Sequence, residues 1–326
     1  MNPDDEDETP RADDGTRFPS TKAIGELEAL TKKKATAARA LAAWKIVTAA
    51  STNSDAHAVM DFARDHELVL PCEHTDPTTR ANLSWVNPID GSQMIWIPAG
   101  KFTYGTGSES AYCAGFSLAR WPVTNEQYAQ FIAETGYEPD PTHPDYDAYL
   151  SNWSSTGPPK GKDKHPVTFV SLFDAFAYCK WAGLVIPTEW MWEKAARGTD
   201  GRLCPWGQGI SGSKKLAHVE AASTCAVGKF SHVRSPYGCE DLTGNVSEWC
   251  QPAAPKAAIG DFPPLEPIVS IPGSGETVET VVRGACYMRT SAESMKSTHR
   301  RNLSVARRNQ WVGFRPACVL PVRPAV

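Results

Sequence analysis

With 326 residues, 41% of them hydrophobic and 21% charged, the chain has enough apolar material for one large core plus an appendage, which excludes a wholly disordered protein. A formal net charge of −4 supplies no whole-surface attraction for nucleic acid. No apolar run reaches the roughly 20 residues of a membrane-spanning helix, and MNPDDEDETPRADDG at the start is neither basic nor apolar, so a cytoplasmic protein without membrane attachment is expected.

Seven carboxylates crowd the first 16 positions. A segment with so little to bury cannot offset its ordering entropy, so residues 1–18 are expected to be an acidic disordered tail. Residues 19–70 are rich in Ala, Leu, Lys and Glu. There Ile24, Leu27 and Leu30, then Ala37, Leu41 and Trp44, recur at three- and four-residue steps, which predicts a helical N-terminal region broken near residues 51–54. Such an appendage suits docking or bracing.

Over 85–320 the texture changes to short apolar runs, many tryptophans and frequent Gly and Pro. MIWIPAGKFTYG, TFVSLF and VVRGACYM predict short strands, separated by long connections at 138–164 and 251–280. Thr124 opens a helix as a capping box with Gln127, puts Tyr128, Phe131 and Ile132 on one face, and Gly136 stops it. Ser171 caps a second helix, whose expected buried stripe is Phe173, Phe176, Ala177 and Trp181, before Gly183. A third opens at Thr188 with Trp192, Ala195 and Ala196 inward and ends at Gly198. These elements predict an α+β domain with little regular secondary structure and an aromatic interior.

The nine cysteines are odd in number and never spaced as CxxC, which argues against a disulfide framework and a zinc knuckle. Nor do the eight histidines show an HxxxH or HExxH pairing.

In chain order, WIPAGKFTYG, FSLARWPVTNEQYAQFIAETGY, HPVTFVSLFDAFAYCKWAGLVIPTEWMWEKAARG, CPWGQG, YGCEDLTGNVSEWC, VVRGACYM and WVGFRPA resemble the motifs of the sulfatase-modifying-factor, or formylglycine-generating-enzyme, family. The resemblance implies a C-type-lectin-like fold. It also implies an oxygen-dependent conversion of a sulfatase cysteine to formylglycine, at copper(I) held by two thiolates five residues apart. Carried along VVRGACYMRTSAES, those two positions are Arg289 and Ser294. Neither is a soft ligand, and Arg289 adds a permanent positive charge where the cation would sit. Copper is therefore not expected, and the family's reaction reads as lost. Cys286 stands where the family has a serine lining the same pocket.

The same resemblance implies a calcium loop in DLTGNVSE, with carboxylates from Asp241 and Glu248 and backbone carbonyls from Gly244 and Val246. Calcium takes about six to eight oxygens in a flexible cage, so calcium is the cofactor the resemblance admits. Without metal, the segment reads as a turn in which Asn245 and Glu248 bond neighbouring amides.

From Arg283 to Arg308 the chain carries seven basic residues against one acid, Glu293, a bias that suits carboxylates or phosphates. The expected function is a non-catalytic module that binds a protein or a small anionic ligand through Cys286, Arg289, Ser294, Arg300, Arg308 and Trp311. A narrower form is a diversity-generating-retroelement variable protein, since those resemble this family and 289–309 is rich in Ser, Thr, Arg and Asn. The alternative is an oxidoreductase of the same family with altered chemistry.

Overall fold

The computed structural model describes residues 84–319 except 108–109, 211, 253–277 and 290, all within the second of two compact units, Pro71–Val326. The expected acidic tail and helical N-terminal region, and most of the 251–280 connection, lie outside the described residues. No described helix is long and apolar enough to cross a membrane.

Strands β1 (Ser84–Val86), β2 (Gln93–Ile97), β5 (Phe116–Ala119) and β10 (Ala317–Val319) form an antiparallel sheet in the order β1-β2-β5-β10. Its β2–β5 register sets Ile95 opposite Leu118, and both are buried. A two-stranded hairpin of β3 (Gly100–Thr103) and β4 (Ser110–Cys113) follows β2 in sequence. The second sheet runs β8 (Arg300–Ser304), β7 (Glu279–Arg283), β6 (Ser247–Cys250) and β9 (Val312–Gly313), with β6 and β9 parallel. Every residue of β6 is buried, so both faces of this central strand are covered and it lacks the alternation of a one-sided strand.

The helices α1 (Asn125–Thr135), α2 (Leu172–Ala182) and α3 (Glu189–Arg197) start at the expected caps. Thr124 and Gln127 form a reciprocal capping box, Ser171 and Asp174 form a second, and the Thr188 side chain accepts from the Met191 N–H. Two short helices, α4 (Ser213–Leu216) and α5 (Ala292–Met295), and a 3-10 turn at Tyr146–Ala148 are also present among the described residues. In α2 the buried set is Leu172, Asp174, Ala175, Phe176, Tyr178, Cys179 and Ala182; of the expected stripe only Phe176 belongs to it. An almost uniformly apolar helix has no polar face from which periodicity could choose a side. TFVSLF is not a strand: Phe169 is a bend at φ +60 between coil residues Thr168 and Val170, and Leu172 and Phe173 already open α2. In VVRGACYM only the first three residues are strand, because Gly284 bends the chain away.

The interior is aromatic, as expected. Tyr178 lies with ring centroids 5.3 Å from Trp181 and from Phe314 and 5.6 Å from Phe131, distances at which aromatic pairs attract. A second core packs Trp192, Ala195 and Ala196 of α3 against Ile95, Phe116 and Leu118. Between these apolar faces α3 also buries Glu189, Glu193, Lys194 and Arg197. Their charges are compensated inside the domain. Arg283 pairs with Glu193, Arg197 sits 2.7 Å from the same carboxylate, and Lys194 donates to the carbonyls of Pro98, Gly100 and Cys113. Buried ions persist only when paired and hydrogen-bonded in this way.

Candidate ligand-binding surface

The surface begins where β7 ends. Gly284 has φ +78, and a Cβ there would stand 2.9 Å from the Leu242 carbonyl oxygen; only glycine combines that angle with that approach. Main-chain bonds then hold the turn: Gly244 N donates to Ala285 O, Tyr287 N to Asn245 O, and Ala221 N to Tyr287 O, each at 2.9 Å. The chain emerges with Cys286 buried, Met288 47% exposed and Arg289 half-buried.

The second strip arrives through Asn309, whose Oδ1 accepts the N–H groups of Trp311 at 3.0 Å and Val312 at 3.1 Å. This local turn leaves Trp311 half-buried as the chain enters β9. The guanidinium carbons of Arg301 and Arg289 lie 4.5 and 5.7 Å from its ring centroid, within range for cation–π attraction. Among the described residues, neither arginine has an ion-pair partner, and Arg301 Nη1 is buried without a hydrogen bond. Gln310 Nε2 reaches to 3.9 Å from Met288 Sδ.

Of the six expected binding residues, the structure gathers Cys286, Arg289 and Trp311. Burial pushes the Cys286 thiol up, against a smaller opposite pull from the Met288 amide and Arg289, which disfavours the reactive thiolate. Ser294 is buried in α5, where its Oγ donates to the Ser291 carbonyl at 2.7 Å. Arg300 is exposed but pairs with Glu189 at 3.3 Å.

Arg308 is corrected outright. It is 3% exposed, its Nε and Nη2 clasp Asp174 at 2.7 and 2.9 Å, and its Nη1 donates to the Asp145 carbonyl at 3.0 Å. It braces α2 and has no free donor face. Within 289–311, Ser294, Met295, Ser297, Val305, Ala306 and Arg308 are buried.

The calcium donors do not fit the metal either. Both Glu248 oxygens are held by Arg315, at 2.7 and 2.8 Å, and Oε2 also accepts from Trp192 Nε1 at 2.7 Å. A divalent ion there would have to sit against a buried guanidinium. Asp241, at φ +55, accepts the Gly228 N–H at 3.2 Å, and burial lifts its carboxyl to about 6. Gly244 is pressed so close that a Cβ would meet the His218 backbone at 2.8 Å, and Val246 is buried. The turn is instead stitched by Asn245, whose amide bonds both N–H and C=O of Cys225 at 3.1 Å. Among the described residues, no cluster of three or more His, Cys, Asp or Glu is arranged to hold a metal.

Sequence reasoning passed over three members of the surface. Arg301 was one of several basic residues, and only the alternation of β8, in which it pairs with Val282 while Arg300 pairs with Arg283, separates it from its neighbour. Met288 and Gln310 carried no signal. A cleft of about 580 Å³ bounded by the β1–β2 turn, the β5–α1 connection and Lys164 was also missed, because separate segments build it.

The family described as Sulfatase-modifying factor enzyme 1-like domain matches residues 82–320. Serine/threonine-protein kinase Pkn1 of Chlamydia trachomatis is 31% identical over 242 residues, 69% of this chain and 38% of the relative. The chain thus spans well under half the length of that protein. A formylglycine-generating enzyme of Thermomonospora curvata is 30% identical over 214 residues, 48% of this chain and 70% of the enzyme. Two solved structures share the fold: PvdO from Pseudomonas aeruginosa, at TM-score 0.58 and 20% identity over 74% of this chain and 100% of that one, and Treponema denticola variable protein 1, at TM-score 0.52 and 21% identity over 74% and 99%. The expected α+β, C-type-lectin-like architecture is borne out.

Proposed function

The chain belongs to the sulfatase-modifying factor enzyme 1-like domain family, and from that premise we propose that it is a non-catalytic recognition module. Its ligand-contacting surface is Met288, Arg289, Arg301, Gln310 and Trp311. The observation that carries this reading is the half-buried Trp311 with two guanidinium groups against its ring, neither paired with a carboxylate among the described residues. Arginine and tryptophan are the residue types that most often dominate interface energies, and guanidinium forks favour a partner bearing carboxylates or phosphates.

The family's oxidation has no support at this site. Arg289 and Ser294 occupy the two thiolate positions, and Cys286 is a single buried thiol. A reducing, cytoplasmic setting suits buried thiols such as Cys113, Cys179, Cys204 and Cys239. A narrower form of the proposal makes the chain a retroelement-diversified variable protein, for which a near-repeat of the gene's 3′ end beside a reverse-transcriptase gene is the test.

The protein-level experiment has two arms. Immobilised protein is used to capture partners, and Arg289, Arg301 and Trp311 are changed singly to Ala. Capture should weaken by about 2 kcal/mol at the strongest position with melting temperature nearly unchanged. In the second arm a CxPxR peptide is incubated with protein, oxygen and copper(I). Formylglycine appearing in the peptide's mass spectrum would return the chain to the oxidoreductases.

A further inference from the structure

We propose that the cleft bounded by the β1–β2 turn and the β5–α1 connection is a second, independent site for a small molecule carrying an oxyanion, a carboxylate or a phosphate. Its volume of about 580 Å³ falls in the usual range of small-ligand pockets.

Most polar groups lining it are already engaged. Asp90 accepts the Ser92 N–H at 2.9 Å, the Ser92 hydroxyl at 2.7 Å and the Tyr178 hydroxyl at 2.7 Å. Gln127 Oε1 accepts from Thr124 N at 2.9 Å while its Nε2 donates to the Asp90 carbonyl at 3.0 Å. These groups form a rigid wall.

Arg120 differs from them. Its backbone is clamped on both sides: N donates to Gln93 O at 2.7 Å, and O accepts from Glu240 N at 3.0 Å and Arg315 Nη1 at 2.8 Å. The guanidinium carbon stands 5.4 Å from the ring centroid of Trp121, and that indole is tied to Glu240 Oε2 at 2.8 Å. Arg120 Nε is nevertheless buried with no hydrogen-bond partner, and no carboxylate pairs with its fork among the described residues. A buried donor left unmet costs free energy, and a bidentate oxyanion is the ligand chemistry that meets it.

Lys164 lines the same cleft, held there by its carbonyl accepting from Val227 N at 2.9 Å, and it too lacks an ion pair among the described residues. Glu126 is the single exposed carboxylate of the lining. Of the two carboxylates in the lining, Asp90 is buried with its oxygens taken by Ser92 and Tyr178 and Glu126 is solvated, whereas Arg120 and Lys164 have no ion pair among the described residues, which favours a negative ligand, and the Trp121 ring offers an apolar surface for its body.

Titration calorimetry on the full chain at constant ionic strength, with inorganic phosphate and with citrate as probes, tests this. Wild type should saturate with at least one probe. Arg120→Gln should weaken that binding roughly tenfold or more, Lys164→Ala by a smaller factor, and Arg289→Ala should leave it unchanged. Saturation by phosphate alone, or by citrate alone, decides which oxyanion the cleft takes. Because Lys164 is exposed, its variant keeps the test valid should Arg120→Gln fold poorly. Absence of saturation with both probes, or undiminished affinity in the two cleft variants, overturns the proposal. Loss in Arg289→Ala alone would instead move the anion to the C-terminal surface.

Discussion

The arginines of the C-terminal region are treated in two opposite ways. Arg308 and Arg315 are buried, each with its guanidinium fork closed on one carboxylate, Asp174 and Glu248. Arg289 and Arg301 are half-buried, lean on Trp311 and meet no carboxylate among the described residues. The same side chain is thus a bolt in one place and an open hand in the other. The difference lies not in the arginine but in whether the fold delivers an acid to it, so charge density alone says little about recognition.

The sharpest way to break this contrast is to cut a bolt. Arg315→Ala leaves Glu248 as an uncompensated buried charge and should cost about 3–5 kcal/mol, measured by urea unfolding. Arg308→Ala should cost about 3 kcal/mol for the same reason. A loss below 1 kcal/mol in both would mean that the buried pairs are dispensable and that the two groups do not differ in kind.

Next in size is a pH effect at Asp241. Its folded carboxyl is lifted to about 6 by burial, above an unfolded value of roughly 3.9. The folded state therefore holds the proton more tightly. The associated stability is fully present below about pH 4 and disappears as pH rises through 6. Asp241→Asn should flatten that slope and stabilise the protein at pH 7.5 by about 2 kcal/mol, read from melting curves across pH. The same substitution also sharpens the metal question. With Glu248 held by Arg315, a chelator should leave the wild-type melting temperature where it is, whereas a clear drop on chelation would reinstate calcium at this loop.

The smallest expected stability effect belongs to the open arginines. Arg289→Ala and Arg301→Ala should shift unfolding by about 0.5 kcal/mol or less while weakening partner capture. Destabilisation as large as that of Arg308→Ala would place them among the bolts.

Much of the scaffold was legible before any coordinates. Thr124, Ser171 and Thr188 each cap a helix, because a side-chain oxygen and the N–H it accepts are three residues apart and the signal is local. The stops at Gly136 and Gly183 are equally local. The candidate site was only half legible. Cys286, Arg289 and Trp311 do converge, yet Arg301 was passed over in favour of Arg300 and Arg308, and the Arg120 cleft was not seen. TFVSLF was misread because β-branched and aromatic residues entering a capped helix look the same as those in a strand.

From the sequence alone came the family resemblance, the α+β class, the helix boundaries and the absence of the thiolate pair, since motif order and residue identity are one-dimensional facts. Only the tertiary structure decided which charges are structural. Arg308 finds Asp174 across 134 positions, Arg315 finds Glu248 across 67, and Trp192 reaches the same glutamate across 56. A guanidinium's role depends on what lies within about 3 Å of its nitrogens, and the folding of distant segments onto one another sets that distance.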